Sequence, residues 1–210
     1  MTDPVQTTIK NYDQVASKYT QKYFDYWQKE DKAYIERFLR LLSPGARILD
    51  VGCGPGNLAA YFTKKGFPVV GIDLSQAMLK IARQKAPGAE FKSMDIRDLQ
   101  FSPNSFEAII SAYSLVYVPK KETEETLLGF KRVIKSEGYL FLSLLWGEGE
   151  KFVKEPLKPG NKIFLHFFKR KEIKRLLEKV GFKVIFSKVH VPKDVETISQ
   201  KTLVLIAQLS

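Results

Sequence analysis

Apolar positions along this chain follow two different periods. Ile35, Phe38, Leu39 and Leu42 stand at i, i+3, i+4 and i+7, one face of a helix that SPG at 43–45 ends. Residues 1–43 read as helical, and their stretch NYDQVASKYTQKYFDYWQ is dense in Tyr, Phe and Trp. Beyond this point the apolar runs shorten. ARILDVG reads as a buried strand, NLAAYFTKKG as a helix closed by Gly66, and PVVGIDL as a second strand. Ser75 is placed to cap a helix whose stripe is Leu74, Ala77, Met78, Ile81 and Ala82.

The alternation continues through AEFKSMD and FEAIISAY as strands, TEETLLGFKRVIK as a helix and GYLFLSLLW as a strand. KRKEIKRLLEKV is a helix burying Ile173, Leu176, Leu177 and Val180 and stopping at Gly181. FKVIFSKVH and TLVLIAQL are strands whose connection is too short for a crossover helix, so they should pair antiparallel at the sheet's end. Strands alternating with helices predict an α/β fold, a Rossmann-like doubly wound sheet of about seven mostly parallel strands with an antiparallel C-terminal strand and helices on both faces. With no repeat, low-complexity tract or clear boundary, residues 1–210 are expected to form a single domain.

Charge and cysteine content refine this picture. Residues 151–193 hold thirteen Lys and Arg against three acids, and so carry nearly all of the formal charge of +11. Two readings follow, a lysine-rich solvated surface or a basic rim that attracts an anionic substrate or RNA. The single cysteine, Cys53, can form no internal disulfide and no cysteine pair for a metal, which fits a reducing compartment. No apolar run approaches the roughly 18 residues of a membrane span, and the first 30 residues are not signal-like. A cytoplasmic protein with no membrane association and no metal is expected.

The candidate chemistry begins at LDVGCGPG, where Gly52, Gly54 and Gly56 alternate after the first strand. Missing Cβ atoms let a ligand lie against main-chain N–H groups there. Asp73, at the end of the next strand and about 20 residues on, can accept both hydroxyls of a ribose. A P-loop would need Gly-Lys-Ser/Thr, whereas Asn57 and Leu58 follow Gly56. A dinucleotide fingerprint would need its third glycine one place later, and Pro55 removes a phosphate donor. S-adenosylmethionine remains.

In these residues the chain resembles the small class I S-adenosylmethionine-dependent methyltransferases over about residues 10–190. ILDVGCGPG is similar to the family's first motif, which implies that Gly52, Cys53 and Gly54 lie beside the methionyl part and that Asp50 helps hold its amino group. VVGIDLS resembles the second, with Asp73 on the ribose and Leu74 against the adenine, and Met78 follows as core first and cofactor contact second. MDIRDL resembles the third, implying Asp95 at the adenine amino group and Ile96 at the ring. FEAIISAYSLVYVP resembles the fourth, with Ser111 and Ala112 facing the cofactor and Tyr113 and Tyr117 on the substrate side. NYDQVASKY is like the family's opening helix, where Tyr19 can cover the methionyl end, so residues 1–43 are expected to cap the cofactor and substrate site. The fourth motif departs from the family in having Glu107 after Phe106 in place of Asp, an acid expected to be structural.

The resemblance leaves the acceptor open. The Asn/Asp-Pro-Pro-Tyr tetrad used on exocyclic base amines is absent, with SAYS in its place, and no cysteine apart from Cys53 could form a cytosine adduct. His166 in FLHFFK is the one histidine placed where the family's substrate pocket is completed, as a base or as a packed ring. The expected reaction is in-line methyl transfer to a small-molecule acceptor, with residues 10–30, the segment after Tyr113 and residues 146–168 building its site. The competing readings are an RNA methyltransferase gripping phosphates with residues 151–193, and a non-catalytic cofactor-binding scaffold.

Overall fold

The computed structural model describes residues 3–192 and 201–210. Three helices come first, α1 (Pro4–Tyr23), α2 (Tyr26–Glu30) and α3 (Lys32–Leu39). The alternation follows with β1 (Ile48–Val51), α4 (Asn57–Lys64), β2 (Val69–Asp73), α5 (Gln76–Lys85), β3 (Glu90–Ser93), β4 (Phe106–Ala112), α6 (Lys120–Val133) and β5 (Ile134–Leu145). A hairpin of β6 (Glu150–Lys154) and β7 (Lys162–His166) precedes α7 (Arg170–Val180), β8 (Phe182–His190) and β9 (Thr202–Leu209).

Seven strands form one sheet in the order β3-β2-β1-β4-β5-β9-β8, and β9 alone runs antiparallel to its neighbours. This is the fold class expected. The central strands are apolar on both faces because helices cover both. Leu49, Val51, Ile109, Leu140 and Leu142 pack with Leu127 and Phe130 of α6 and Ile173 and Leu177 of α7. Their alternates Ile48, Ala108, Ile110 and Phe141 pack with Phe38 of α3, Leu58 and Phe62 of α4, and Leu79 of α5. The alternation of strand residues between two cores is the period-2 pattern seen from inside.

The hairpin of β6 and β7 is an addition to the expected elements. Its turn carries Pro156, Pro159 and Gly160, and Ile163 and Leu165 are buried in the core while Phe152 stays half exposed. Glu107 is structural, as expected: it accepts from the Arg47 backbone N–H at 2.7 Å and pairs with Lys135.

Helix α1 is fastened across the carboxyl ends of the strands. Its N-cap Asp3 accepts from the Val5 N–H at 2.9 Å, and Pro4 at the first position loses no hydrogen bond there. On one flank Thr8 Oγ1 accepts from the Phe164 N–H (3.1 Å) and Asn11 donates to the Lys162 carbonyl (2.6 Å). On the other, Ser75 Oγ accepts from the Met78 N–H as the cap of α5 and donates to Asp13 Oδ1 at 2.6 Å. Arg97 ties the start of α1 down, joining Asp3 (3.0 Å), Asp95 (2.7 Å) and Glu122 (2.8 Å).

Candidate active site

The sheet reverses its order of winding between β1 and β4, and the crevice at that switch point is where ligands bind in open α/β sheets. Two adjoining cavities, of about 170 and 120 Å³, lie there under α1. Both are walled by Tyr12, Tyr19, Gly52, Gly54, Tyr113 and Tyr117. The smaller adds Asp73, Leu74, Met78 and Ile96, and the larger adds Asp50, Cys53, Trp27, Asp31 and Glu155. Ala112 borders both.

The three glycines of the turn serve three different neighbours. A Cβ on Gly52 would stand 2.3 Å from Ser114 Cβ, and one on Gly56 would stand 3.0 Å from Ala82 Cβ on α5. A Cβ on Gly54 would meet nothing within 4 Å, because the cavity is there. All three have positive φ, between 52° and 79°. The space beside Gly54 is thus open to a ligand, whereas Gly52 yields to Ser114 and Gly56 to helix packing. Gly52 still borders both cavities through its backbone.

Asp73 holds the turn in place. Its Oδ2 accepts from the Gly54 N–H at 2.9 Å and its Oδ1 from the Ser75 N–H at 2.8 Å. Burial raises the pKa of this carboxyl, and those backbone donors work against the rise. Asp50 is buried with Oδ2 lacking any hydrogen-bond partner among the described residues. Burial, and secondarily the Asp73 charge, push its carboxyl up from 3.8 to about 7. Burial likewise raises the Cys53 thiol well above its usual range, which leaves it un-ionised and inert.

Tyr12 and Tyr117 join hydroxyl to hydroxyl beneath α1, with ring centroids 5.5 Å apart, and Tyr19 meets Tyr12 edge-on at 5.5 Å. Tyr113 adopts φ of 56°, a left-handed conformation costly for a bulky residue, and its hydroxyl lies 3.3 Å from Thr202 Oγ1.

Three expected residues are not brought to a cavity wall. Asp95 turns its carboxylate to Arg97, from which it accepts at 2.7–3.1 Å, so meeting an adenine amino group requires exchanging one of those bonds. Ser111 is wholly buried, hydrogen-bonded to Ser114 Oγ at 2.7 Å. His166 ends β7 with its ring 3.9 Å from that of Phe168 and its Nδ1 3.5 Å from Thr123 Oγ1, and burial lowers its pKa. His166→Phe should therefore leave the transfer rate within a fewfold of the parent. A hundredfold fall in kcat at unchanged cofactor affinity would restore the ring to the chemistry.

Tyr12, Trp27 and Glu155, which line the larger cavity, fall in the segments 10–30 and 146–168 expected there although none was named individually, and Asp31 lies just outside those segments. The spacing of Tyr12, Tyr19 and Tyr23 at i, i+7 and i+11 on α1 was the available signal for an aromatic face, whereas nothing local to Asp31 or Glu155 marks them.

The arrangement fits S-adenosylmethionine. An orphaned buried carboxylate oxygen on Asp50 suits an ammonium group, the open side of Gly54 admits a ligand to the main chain, and Leu74, Met78 and Ile96 offer apolar faces to a base. Residues 48–138 match the family described as methyltransferase domain. The likeness of this segment to that family agrees with the fit of the site to S-adenosylmethionine. The chain is 36% identical over 126 residues to a putative methyltransferase, YqeM, of Bacillus subtilis, covering 58% of this chain and 48% of that protein. It is 28% identical over 151 residues to the ubiquinone biosynthesis O-methyltransferase of Chromobacterium violaceum, covering 65% of this chain and 64% of that one. A solved S-adenosylmethionine-dependent methyltransferase from Methanosarcina mazei superposes with a TM-score of 0.75 at 25% identity, over 84% of this chain and 96% of that one. The chain spans about half the length of the first curated relatives it matches.

Proposed function

We propose that this protein transfers the methyl group of S-adenosylmethionine to a small molecule held in the larger cavity. The observation that carries this reading is the wall the two cavities share: Gly52, Gly54, Tyr12, Tyr19 and Tyr117 border both the cavity beside Asp73 and the larger one. The sulfonium supplies an already activated methyl group. The protein's part is to orient the acceptor and exclude water, which alone contributes about 7–11 kcal/mol in well-aligned systems, so a dedicated base is not required. Asp73 and Leu74 would hold the adenosyl end, Gly54 and Asp50 the methionyl end, and helices α1–α3, within residues 1–43, would close the site. The test is incubation with labelled S-adenosylmethionine and a metabolite extract. Label in a small molecule is expected, and cofactor binding with no labelled acceptor would favour the scaffold reading.

The relatives named as ubiquinone biosynthesis O-methyltransferases support a small-molecule acceptor over RNA. In the basic segment Lys169 pairs with Glu148 and Lys179 with Glu124 at the surface. Among the described residues no helix is long and apolar enough to cross a membrane. A cytoplasmic location remains our inference from the lone, buried Cys53.

Cofactor affinity should depend on pH through Asp50. Its carboxyl holds a proton below about 7 and an ammonium ligand needs the carboxylate, so affinity for S-adenosylhomocysteine should fall by up to about tenfold per pH unit below 7 and level off above it. The same shift has the opposite sign for the free protein. The folded state keeps this proton between pH 3.8 and about 7 where the unfolded chain releases it, so Asp50 contributes a loss of stability as pH rises through that window. Calorimetric titrations at pH 6, 7 and 8, with Asp50→Asn as the flat reference, check the binding half.

A further inference from the structure

The charge of the larger cavity runs against that of the protein. In a chain of net charge +11, no Lys, Arg or His among the described residues lines this cavity, while Asp31, Asp50 and Glu155 do. Asp50 faces the methionyl end of the proposed cofactor site. Asp31 and Glu155 line only the larger cavity, so the cofactor does not account for them.

Asp31 is the more informative of the two. It occupies the N-cap position of α3, where an aspartate ordinarily accepts from the helix's first N–H groups, yet its side chain makes no cap bond. It is 1% exposed, and Oδ1 has no hydrogen-bond partner among the described residues. Among the described residues its ion-pair partner is His190, whose Nε2 stands 3.5 Å from that oxygen and does not line the cavity. A carboxylate has about four acceptor positions, so one long ion pair leaves it able to take a further donor from the cavity. Glu155 is 5% exposed, with Oε1 accepting from the Leu157 N–H at 3.0 Å.

Aromatic rings, among them Tyr19, Tyr23, Tyr26, Trp27 and Tyr113, share the wall with aliphatic side chains such as Leu58, Leu145 and Leu165. Aromatic faces with carboxylates between them and no cation among them recognise organic ammonium groups, through ring quadrupoles and direct charge. They repel anions, and to a neutral alkyl group they offer apolar burial without the added charge attraction.

We propose, on the basis of the methyl-transfer reading above, that the acceptor is a small organic amine that enters as an ammonium ion and is held by Asp31, Glu155 and the aromatic wall. In the transfer its nitrogen passes one N–H proton to a lining carboxylate. The freed lone pair then forms the N–C bond while the C–S bond breaks with its electron pair left on sulfur. The methylated product is again a cation, matched to the same wall.

The test is calorimetric and needs no turnover. Protein loaded with S-adenosylhomocysteine is titrated with choline, with its neutral carbon isostere 3,3-dimethylbutan-1-ol, and with the anion 3,3-dimethylbutanoate. Choline should bind at least about tenfold tighter than the neutral isostere, and the anion should not bind. Asp31→Asn and Glu155→Gln should each weaken choline at least fivefold while leaving the isostere and S-adenosylhomocysteine unchanged. Asp31→Asn forfeits no cap bond but loses the His190 ion pair, so Glu155→Gln, which keeps a carbonyl for the Leu157 N–H, gives an independent reading should the first variant fold poorly. Equal binding of cation and isostere, preference for the anion, or binding of none of the three overturns the amine assignment. Failure of S-adenosylhomocysteine itself to bind overturns the underlying function instead.

Discussion

Gly52→Ala should destabilise the folded protein by about 2–4 kcal/mol, and much of that loss should return when Ser114→Gly is added. The new Cβ would lie 2.3 Å from Ser114 Cβ, and φ at this position is +68°. Overpacking of that kind costs about 1–3 kcal/mol and a left-handed alanine about 1 more. Ser114 cannot easily retreat, because its hydroxyl donates to the Val51 carbonyl at 2.6 Å and bonds Ser111 Oγ. Removing it forfeits those bonds, so Ser114→Gly alone should also destabilise, and the two losses should fall well short of adding. Urea midpoints at constant m-value measure this. Strict additivity would show that Ser114 is not the obstacle.

Gly54→Ala, two residues on, should behave in the opposite way. Its φ of +52° costs an alanine about 1 kcal/mol, but the Cβ enters open space and meets no protein atom. The expected defect is in ligand affinity, at least tenfold for S-adenosylhomocysteine, with the fold largely intact. The paired variants thus separate two glycines that look alike on paper.

That distinction marks the limit of what the chain alone reveals. The alternation of apolar runs and helix stripes was enough for the doubly wound sheet, because each central strand must be apolar on both faces and each covering helix on one. Ser75 was legible as a cap for the same reason, since the signal is local. What was not legible depends on neighbours far along the chain. Gly52 and Gly54 differ only in whether Ser114 is near, and Asp95 turns from the cavity only because Arg97 gathers it with Asp3 and Glu122. His166 looked available between aromatics, but pairing with Glu150 in the hairpin sets it among Phe168 and Thr123. Asp31 is the converse case. It opens α3 without a side-chain cap bond, and only the fold brings it to the wall of the larger cavity.

Asp73→Ala should weaken S-adenosylhomocysteine binding by about 1–3 kcal/mol, roughly tenfold to a hundredfold, and Asp73→Asn should fall nearly as far. The carboxylate accepts from two backbone donors, with Oδ2 on the Gly54 N–H and Oδ1 on the Ser75 N–H. An asparagine offers one carbonyl oxygen, so its NH2 would face the other N–H donor to donor. The glycine turn or the start of α5 then loses its anchor, and thermal unfolding of the ligand-free protein should register that loss in both variants. If the acid served only ribose hydroxyls, the amide could accept from one and donate to the other, and Asn would keep most of the affinity at unchanged stability. A second readout links this residue to its neighbour. The Asp73 charge is one of the two causes that hold the Asp50 carboxyl near 7, so removing it should move the pH midpoint of cofactor binding downward. A midpoint that stays in place in Asp73→Ala would mean that burial alone sets the Asp50 proton and that the two carboxylates act independently.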